Sequence, residues 1–104
     1  MVDALKWFQL GFPQQLGHLA SELKRVRHWE TKNDSVSRMK SLERVLELLD
    51  LTLMDARWKN RRKEIARLRE IVCDQFSHSK FYDVSLVDLE NYCMVFALFE
   101  RKNF

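Results

Sequence analysis

The sequence predicts an all-α protein folded as a compact antiparallel four-helix bundle. Leu, Glu, Lys and Arg, which all favour helices, dominate the composition. The 104 residues include only two glycines and one proline, and no long segment alternates apolar and polar residues at the spacing of a strand. Because the length suits one hydrophobic core, residues 1–104 are expected to form a single helical domain.

The first long helix is predicted after Gly11 and Pro13, which separate it from residues 2–12. Pro13 is favoured in the first turn of a helix, and five apolar residues follow at helical spacing up to about residue 30. They are Leu16, Leu19, Ala20, Leu23 and Val26. Residues 2–12 either join this helix or pack separately as a short extra helical turn.

The widest apolar face belongs to the second long helix, predicted over residues 36–54. Its segment 42–55 places apolar side chains on about half of the helix circumference. A face this wide is expected to contact more than one neighbouring helix. The polar stretch 31–35 precedes the helix, with Asp34 or Ser35 as its N-cap.

Two further helices complete the predicted bundle. Asp55 is expected to cap a third helix over residues 57–76. After a polar loop at 77–83, Ser85 and Asp88 resemble a capping box, with Asp in place of the usual Glu. They are expected to open a fourth helix that runs to about residue 101.

The fourth predicted helix is apolar on both sides, which is typical of a helix that is buried on both sides. The favoured explanation is that N-terminal aromatic residues cover its second face. The alternative is that this face binds a protein partner, since large exposed apolar patches usually mark contact sites. The residues predicted for this interaction are Trp7, Phe8, Val87, Met94 and Leu98.

The start of the third predicted helix is strongly basic. Residues 56–70 contain seven basic and two acidic residues, whereas the whole chain has a net charge of only +3. Cations at a helix N-terminus oppose the helix dipole, so local helix stability does not explain them. The end of the fourth helix is expected at the same pole of the bundle. The predicted anion-binding or nucleic-acid-binding residues are Arg57, Lys59, Arg61, Arg62, Lys63, Arg101 and Lys102.

The favoured explanation of this basic pole is neutralisation within the chain. Glu43, Glu47 and Asp50 are spaced by four and three residues, just outside the apolar face of the 36–54 helix. Arg61 lies within the apolar line of its own helix, where a cation needs a carboxylate partner. We expect Asp50 or Glu47 to be that partner.

Motifs for catalysis and for cofactor binding are absent from the sequence. It contains no Gly-rich phosphate loop, no GxSxG, no HExxH and no CxxC. His18 with Glu22, and Asp74 with His78, are the only pairs suited to acid–base chemistry, and such isolated pairs are usually ordinary surface residues. We therefore expect a protein that is not an enzyme and has no cofactor, no metal and no small-molecule substrate.

The cellular location is inferred from three further features. No apolar segment approaches the roughly 20 residues that span a bilayer, and the N-terminus does not resemble a secretory signal. Cys73 and Cys93 are expected to be reduced thiols inside helices. These features predict a cytoplasmic protein that does not bind a membrane.

The sequence therefore favours a small helical protein–protein interaction module with an assembly or regulatory role. It is expected to act through the apolar fourth helix and the N-terminal aromatic residues, on a protein partner or on a second copy in a homodimer. The alternative is a nucleic-acid-associated protein that uses the basic pole.

Overall fold

The computed structural model describes residues 3–76 and 84–102, and only the backbone for 96–102. These residues form five α-helices and no strand, which confirms the predicted all-α class. The helices are α1 (Ala4–Gln9), α2 (Phe12–Thr31), α3 (Ser35–Met54), α4 (Arg62–Asp74) and α5 (Leu86–Lys102), with a 3₁₀ segment (Ala56–Arg61) between α3 and α4. The short N-terminal segment is thus a helix of its own, separate from α2.

The four long helices pack as antiparallel neighbours. α2 packs against both α3 and α5, while α4 and α1 pack against α3. Arg27, late in α2, donates to Glu90, early in α5, at 2.8 Å. Arg38, early in α3, donates to the backbone carbonyl of Gln75, just after α4, at 3.1 Å. Each of these two contacts joins the start of one helix to the end of its neighbour, which fits the predicted antiparallel four-helix bundle.

Side-chain caps begin three of the helices. Asp3 accepts from the backbone N–H of Leu5 at 3.1 Å and so caps α1. Asp34 is the N-cap of α3, and the Ser37 backbone N–H and hydroxyl, at 3.0 and 2.8 Å, lower the pKa of the Asp34 carboxyl. The predicted capping box is confirmed, because Ser85 accepts from the Asp88 N–H at 3.1 Å and Asp88 accepts from the Ser85 N–H at 3.2 Å.

The buried apolar side chains form one cluster at the centre of the bundle. α2 and α3 supply most of them, which agrees with the expectation that the 42–55 segment contacts several neighbours. Leu86, Leu89 and Cys93 extend the cluster from α5. Cys93 is fully buried, and this burial raises the pKa of its thiol to about 12.

The prediction of one continuous third helix from about residue 57 to residue 76 is wrong at its start. Residues 56–61 form a 3₁₀ segment, and α4 begins only at Arg62. It ends at Asp74, within two residues of the predicted end. Asp55 does cap the turn, since it accepts from the Arg57 backbone N–H at 3.0 Å, but it also binds the Arg57 guanidinium at 2.7 Å. The same guanidinium donates to the carbonyl of Leu10 at 2.8 Å. These contacts hold the segment against the start of α2 in a conformation that a regular α-helix does not have.

A buried hydrogen-bond network joins four elements at this pole. The side chain of Gln15, which is 0% exposed, donates to the carbonyl of Trp7 at 3.0 Å and accepts from the Trp58 indole at 2.9 Å. The Trp7 indole donates to the Thr52 hydroxyl at 3.0 Å, which in turn donates to the carbonyl of Leu48. Gln15 therefore connects α1, α2, α3 and the 3₁₀ segment.

Gln15→Leu should lower the free energy of unfolding by about 1–3 kcal/mol. The substitution leaves the Trp58 indole N–H without its partner, at a cost of about 1–3 kcal/mol. The Trp7 carbonyl loses one hydrogen bond but still accepts from the Leu10 N–H at 3.1 Å. Urea denaturation followed by circular dichroism measures this loss. Gln9→Leu, at an exposed position of α1, is the matched control and should change stability by less than about 0.5 kcal/mol. Equal effects of the two substitutions would contradict the role given to Gln15.

Asp55→Asn should reduce stability at neutral pH and have little effect in acid. The hydrogen bond from Arg57 holds the pKa of Asp55 below its usual range, so the carboxylate stabilises the folded state above the unfolded pKa of about 3.9. That contribution is lost as the pH falls through the folded pKa. Urea denaturation at pH 7 should show a loss of about 1–3 kcal/mol, and the difference should shrink progressively below about pH 4. A difference that is independent of pH would exclude the charged interaction.

Candidate protein-interaction surface

A groove separates α4 from α5, the two helices at the ends of the row α5–α2–α3–α4. These helices do not pack closely on each other, and the space between them has a volume of about 510 Å³. We call it the α4/α5 groove and define it by the residues that line it. They are Lys63, Glu64, Arg67, Leu68 and Ile71 on the α4 side, with Val84, Asp88, Leu89 and Tyr92 on the α5 side.

The groove exists because each of these helices directs its most apolar face to its neighbour in the row, which is α2 for α5 and α3 for α4. Leu86, Leu89 and Cys93 of α5 are buried in the bundle, as are Ile65 and Val72 of α4. The sides that face each other across the groove carry fewer apolar residues, with charged residues at their edges. The result is an open channel with an apolar floor and charged rims.

Tyr92 lies at the base of the groove, where it is half-exposed. Partial burial raises the pKa of its hydroxyl, and the negative charge of Glu64 raises it further. Phe12 and Leu16 of α2 line a small space next to Tyr92. The ring therefore connects the solvent-exposed groove with the core.

The outer side of α5 is exposed over the residues whose side chains are described. Val87, Met94 and Val95 form this outer α5 face, and Val95 is 66% exposed. The sequence predicted Val87 and Met94 for a contact surface, and the structure places both on this face. The side chain of Leu98, predicted with them, lies outside the described residues.

The prediction that N-terminal aromatic residues cover the second side of α5 is wrong. Trp7 is only 5% exposed and belongs to the core, and Phe8 packs partly buried against that core. The Trp7 hydrogen bond to Thr52 directs α1 onto α3, whereas α5 packs on α2. Trp7 is consequently not a surface residue for a partner, and the outer α5 face is not covered by α1.

Two cations of the predicted basic pole are held by contacts within the chain. Arg57 binds Asp55, and its guanidinium lies 4.5 Å from the ring centre of Trp58. The guanidinium of Arg61 lies 4.9 Å from the ring centre of Phe12. Both side chains thus help to join the 3₁₀ segment to its neighbours.

The acidic residues of α3 are expected to neutralise the basic pole, but Asp50 pairs with a cation outside the predicted set. Asp50 binds Arg69 of α4, with an N–O distance of 2.6 Å, so the prediction that it pairs with Arg61 is wrong. Within residues 3–76 and 84–95, Glu43 and Glu47 make no ion pair. The ring of Phe12 contacts the Arg61 guanidinium in its apolar position.

The remaining predicted cations are exposed. Lys59, Arg62 and Lys63 make no ion pair with any described residue, and the same holds for Arg67, which the sequence interpretation did not select. Lys63 and Arg67 lie one helical turn apart on the rim of the α4/α5 groove. The side chains of Arg101 and Lys102 lie outside the described residues.

The structure brings together no metal centre among its described residues. No group of three or more His, Cys, Asp and Glu side chains there could hold a metal ion. Glu22, considered with His18 for acid–base chemistry, instead binds Arg25 at 3.1 Å and lies 3.7 Å from Arg44. His78 lies outside the described residues. None of the described helices has the length and apolar character needed to cross a membrane.

Comparison with known proteins finds no matching family model, no similar curated protein and no similar solved structure. The partner and function of this chain must therefore be inferred from its own surfaces. Half of the eight large apolar side chains that are exposed among the described residues lie on α5, namely Val87, Tyr92, Met94 and Val95.

Proposed function

We propose that this chain is a non-enzymatic protein-interaction module that binds a protein partner through the α4/α5 groove and the adjoining outer α5 face. The observation that carries the proposal is the one-sided burial of α5. Leu89 and Cys93 are buried, whereas Tyr92, Met94 and Val95 are between 45% and 66% exposed. α4, the neighbour that would close a complete bundle, stands apart from α5.

The composition of this surface supports contact with a protein. Soluble monomers rarely expose extended apolar patches, and such patches frequently mark interaction sites. Protein interfaces combine an apolar centre with a polar rim, and the α4/α5 groove has this arrangement. Ile71, Val84 and Tyr92 supply apolar surface, while Lys63 and Asp88 lie at the edges.

Nucleic-acid binding is the second candidate function, and it is favoured by the exposed cations of the 3₁₀ segment and of early α4. Lys59 and Arg62 extend the positive charge beyond the groove. The ion pair of Arg57 with Asp55 offsets part of the positive charge of this segment. The groove therefore remains the better-supported surface.

Val95→Asp should abolish binding of a protein partner, because it places a charge on the most exposed of the apolar α5 side chains that the structure describes. The full chain, tagged and expressed in its native cells, is isolated and its associated proteins are quantified by mass spectrometry. Sedimentation velocity of the purified chain at micromolar concentration detects self-association. Leu5→Asp, which changes an apolar residue of α1 that is 76% exposed, is the matched control.

We expect at least a tenfold loss of one associated protein, or of the dimer, with Val95→Asp and none with Leu5→Asp. Circular dichroism verifies that both variants are folded. A chain that sediments as a monomer and whose associated proteins are the same for both variants would contradict the proposal.

Lys59→Ala combined with Arg62→Ala separates the second candidate function from the first, because neither residue lines the groove. If the protein binds nucleic acid, its affinity for a 20-nucleotide strand should fall steeply with salt concentration and weaken in this variant. Fluorescence anisotropy between 50 and 200 mM salt measures both effects. Absence of binding at low salt excludes this function.

A further inference from the structure

The two rims of the α4/α5 groove carry opposite charges. Lys63 and Arg67 form the α4 rim, are exposed, and make no ion pair among the described residues. Asp88, which is exposed near the start of α5, lies on the other rim. Glu64, the remaining charged residue of the lining, influences Tyr92 across the groove. A molecule in the groove therefore meets the two cations of the α4 rim, with Glu64 on the same side, and the carboxylate of Asp88 on the α5 rim.

The floor between these rims is apolar and follows the direction of the helices. Leu68 and Ile71 line it from α4, and Val84, Leu89 and Tyr92 line it from the α5 side. α4 has 13 residues, which corresponds to a length of about 20 Å. A volume of about 510 Å³ along this length accommodates several apolar side chains in a row.

We propose that the groove binds one amphipathic α-helix of a protein partner, with an acidic edge along Lys63 and Arg67 and a basic edge towards Asp88. Helices dock into such grooves through apolar residues spaced by three and four positions. Packing of side-chain ridges into grooves between helices supplies the shape complementarity. This inference rests on the proposed function and specifies the partner of the same site.

The opposite charges of the rims also determine the direction of the bound helix. When a helix with one acidic and one basic edge is reversed in the groove, its edges exchange sides. The reversed helix would place carboxylates beside Asp88 and cations beside Lys63 and Arg67. Repulsion between like charges placed beside each other disfavours that arrangement.

A helical peptide library tests the inference with the full chain as the target. The library keeps a fixed leucine stripe of about four turns and randomises the positions on both sides of it. We expect the selected peptides to carry Glu or Asp along one edge and Lys or Arg along the other. Fluorescence anisotropy then gives the dissociation constant of the best peptide for the native chain and its variants.

Two sets of variants separate the groove from the rest of the surface. Lys63→Glu with Arg67→Glu should weaken binding of the selected peptide at least tenfold, and a peptide whose acidic edge is replaced by Lys should regain the affinity. Tyr92→Asp should also weaken binding at least tenfold, whereas Leu5→Asp, at an exposed position of α1, should not. Circular dichroism confirms that each variant is folded.

The results that would overturn the inference can be distinguished from a failure of the proposed function. Absence of selected peptides, or peptides without charged edges whose affinity the charge reversal leaves unchanged, overturns the inference. If the native partner is lost with Val95→Asp but not with Tyr92→Asp, the proposed function stands and the groove inference fails. If the chain forms a dimer that dissociates with Tyr92→Asp, the occupant of the groove is a second copy of the chain. If an apolar dye binds the groove and the selected peptide does not displace it, the occupant is a small molecule. Either result also overturns the inference.

Discussion

The buried amide of Gln15 is the contact on which one whole pole of the structure depends. Its donor and acceptor are both satisfied, by the carbonyl of Trp7 and by the indole of Trp58. A buried amide that lost either partner would cost the fold about 1–3 kcal/mol, so the two aromatic residues are held in place together. This pairing draws α1 and the 3₁₀ segment into the bundle. The same pairing explains why aromatic residues and cations at this pole, which resemble a contact surface in the sequence, stabilise the fold.

Polar contacts between helices join the same neighbours that pack through the apolar core. Arg27 connects α2 with α5 through Glu90, and Arg69 connects α4 with α3 through Asp50. The ion pairs between long helices, within the described residues, join only these inner pairs and α2 with α3. The apolar faces of α4 and α5 are also directed to these inner helices, α3 and α2 respectively. The sides of α4 and α5 that face each other therefore remain open. The α4/α5 groove is thus a consequence of how the bundle assembles, and Ile71 and Tyr92 remain partly exposed on its floor.

The parts of the fold that depend on local chemistry could be predicted from the sequence. Helical spacing located the four long helices, and the Asp34, Asp55 and Ser85 caps followed from side chains that bond to nearby backbone groups. The choice among distant partners could not be predicted, because an exposed carboxylate and an aromatic ring both accommodate a cation. Arg61 contacts Phe12, and Asp50 binds Arg69. The groove could not be predicted either, since helical periodicity shows which side of α5 is apolar but not whether a neighbour covers it.

The exposure of the groove floor in the isolated chain can be measured through its two isoleucines, the only ones in the sequence. Ile65 is 4% exposed in the core, whereas Ile71 is half-buried and lines the groove. Selective methyl labelling gives one NMR signal for each, and a soluble paramagnetic reagent broadens signals in proportion to solvent access. An open groove predicts strong broadening of Ile71 and little of Ile65. Equal protection of both methyl groups in the monomeric chain would show that α4 and α5 close on each other, and would contradict the account.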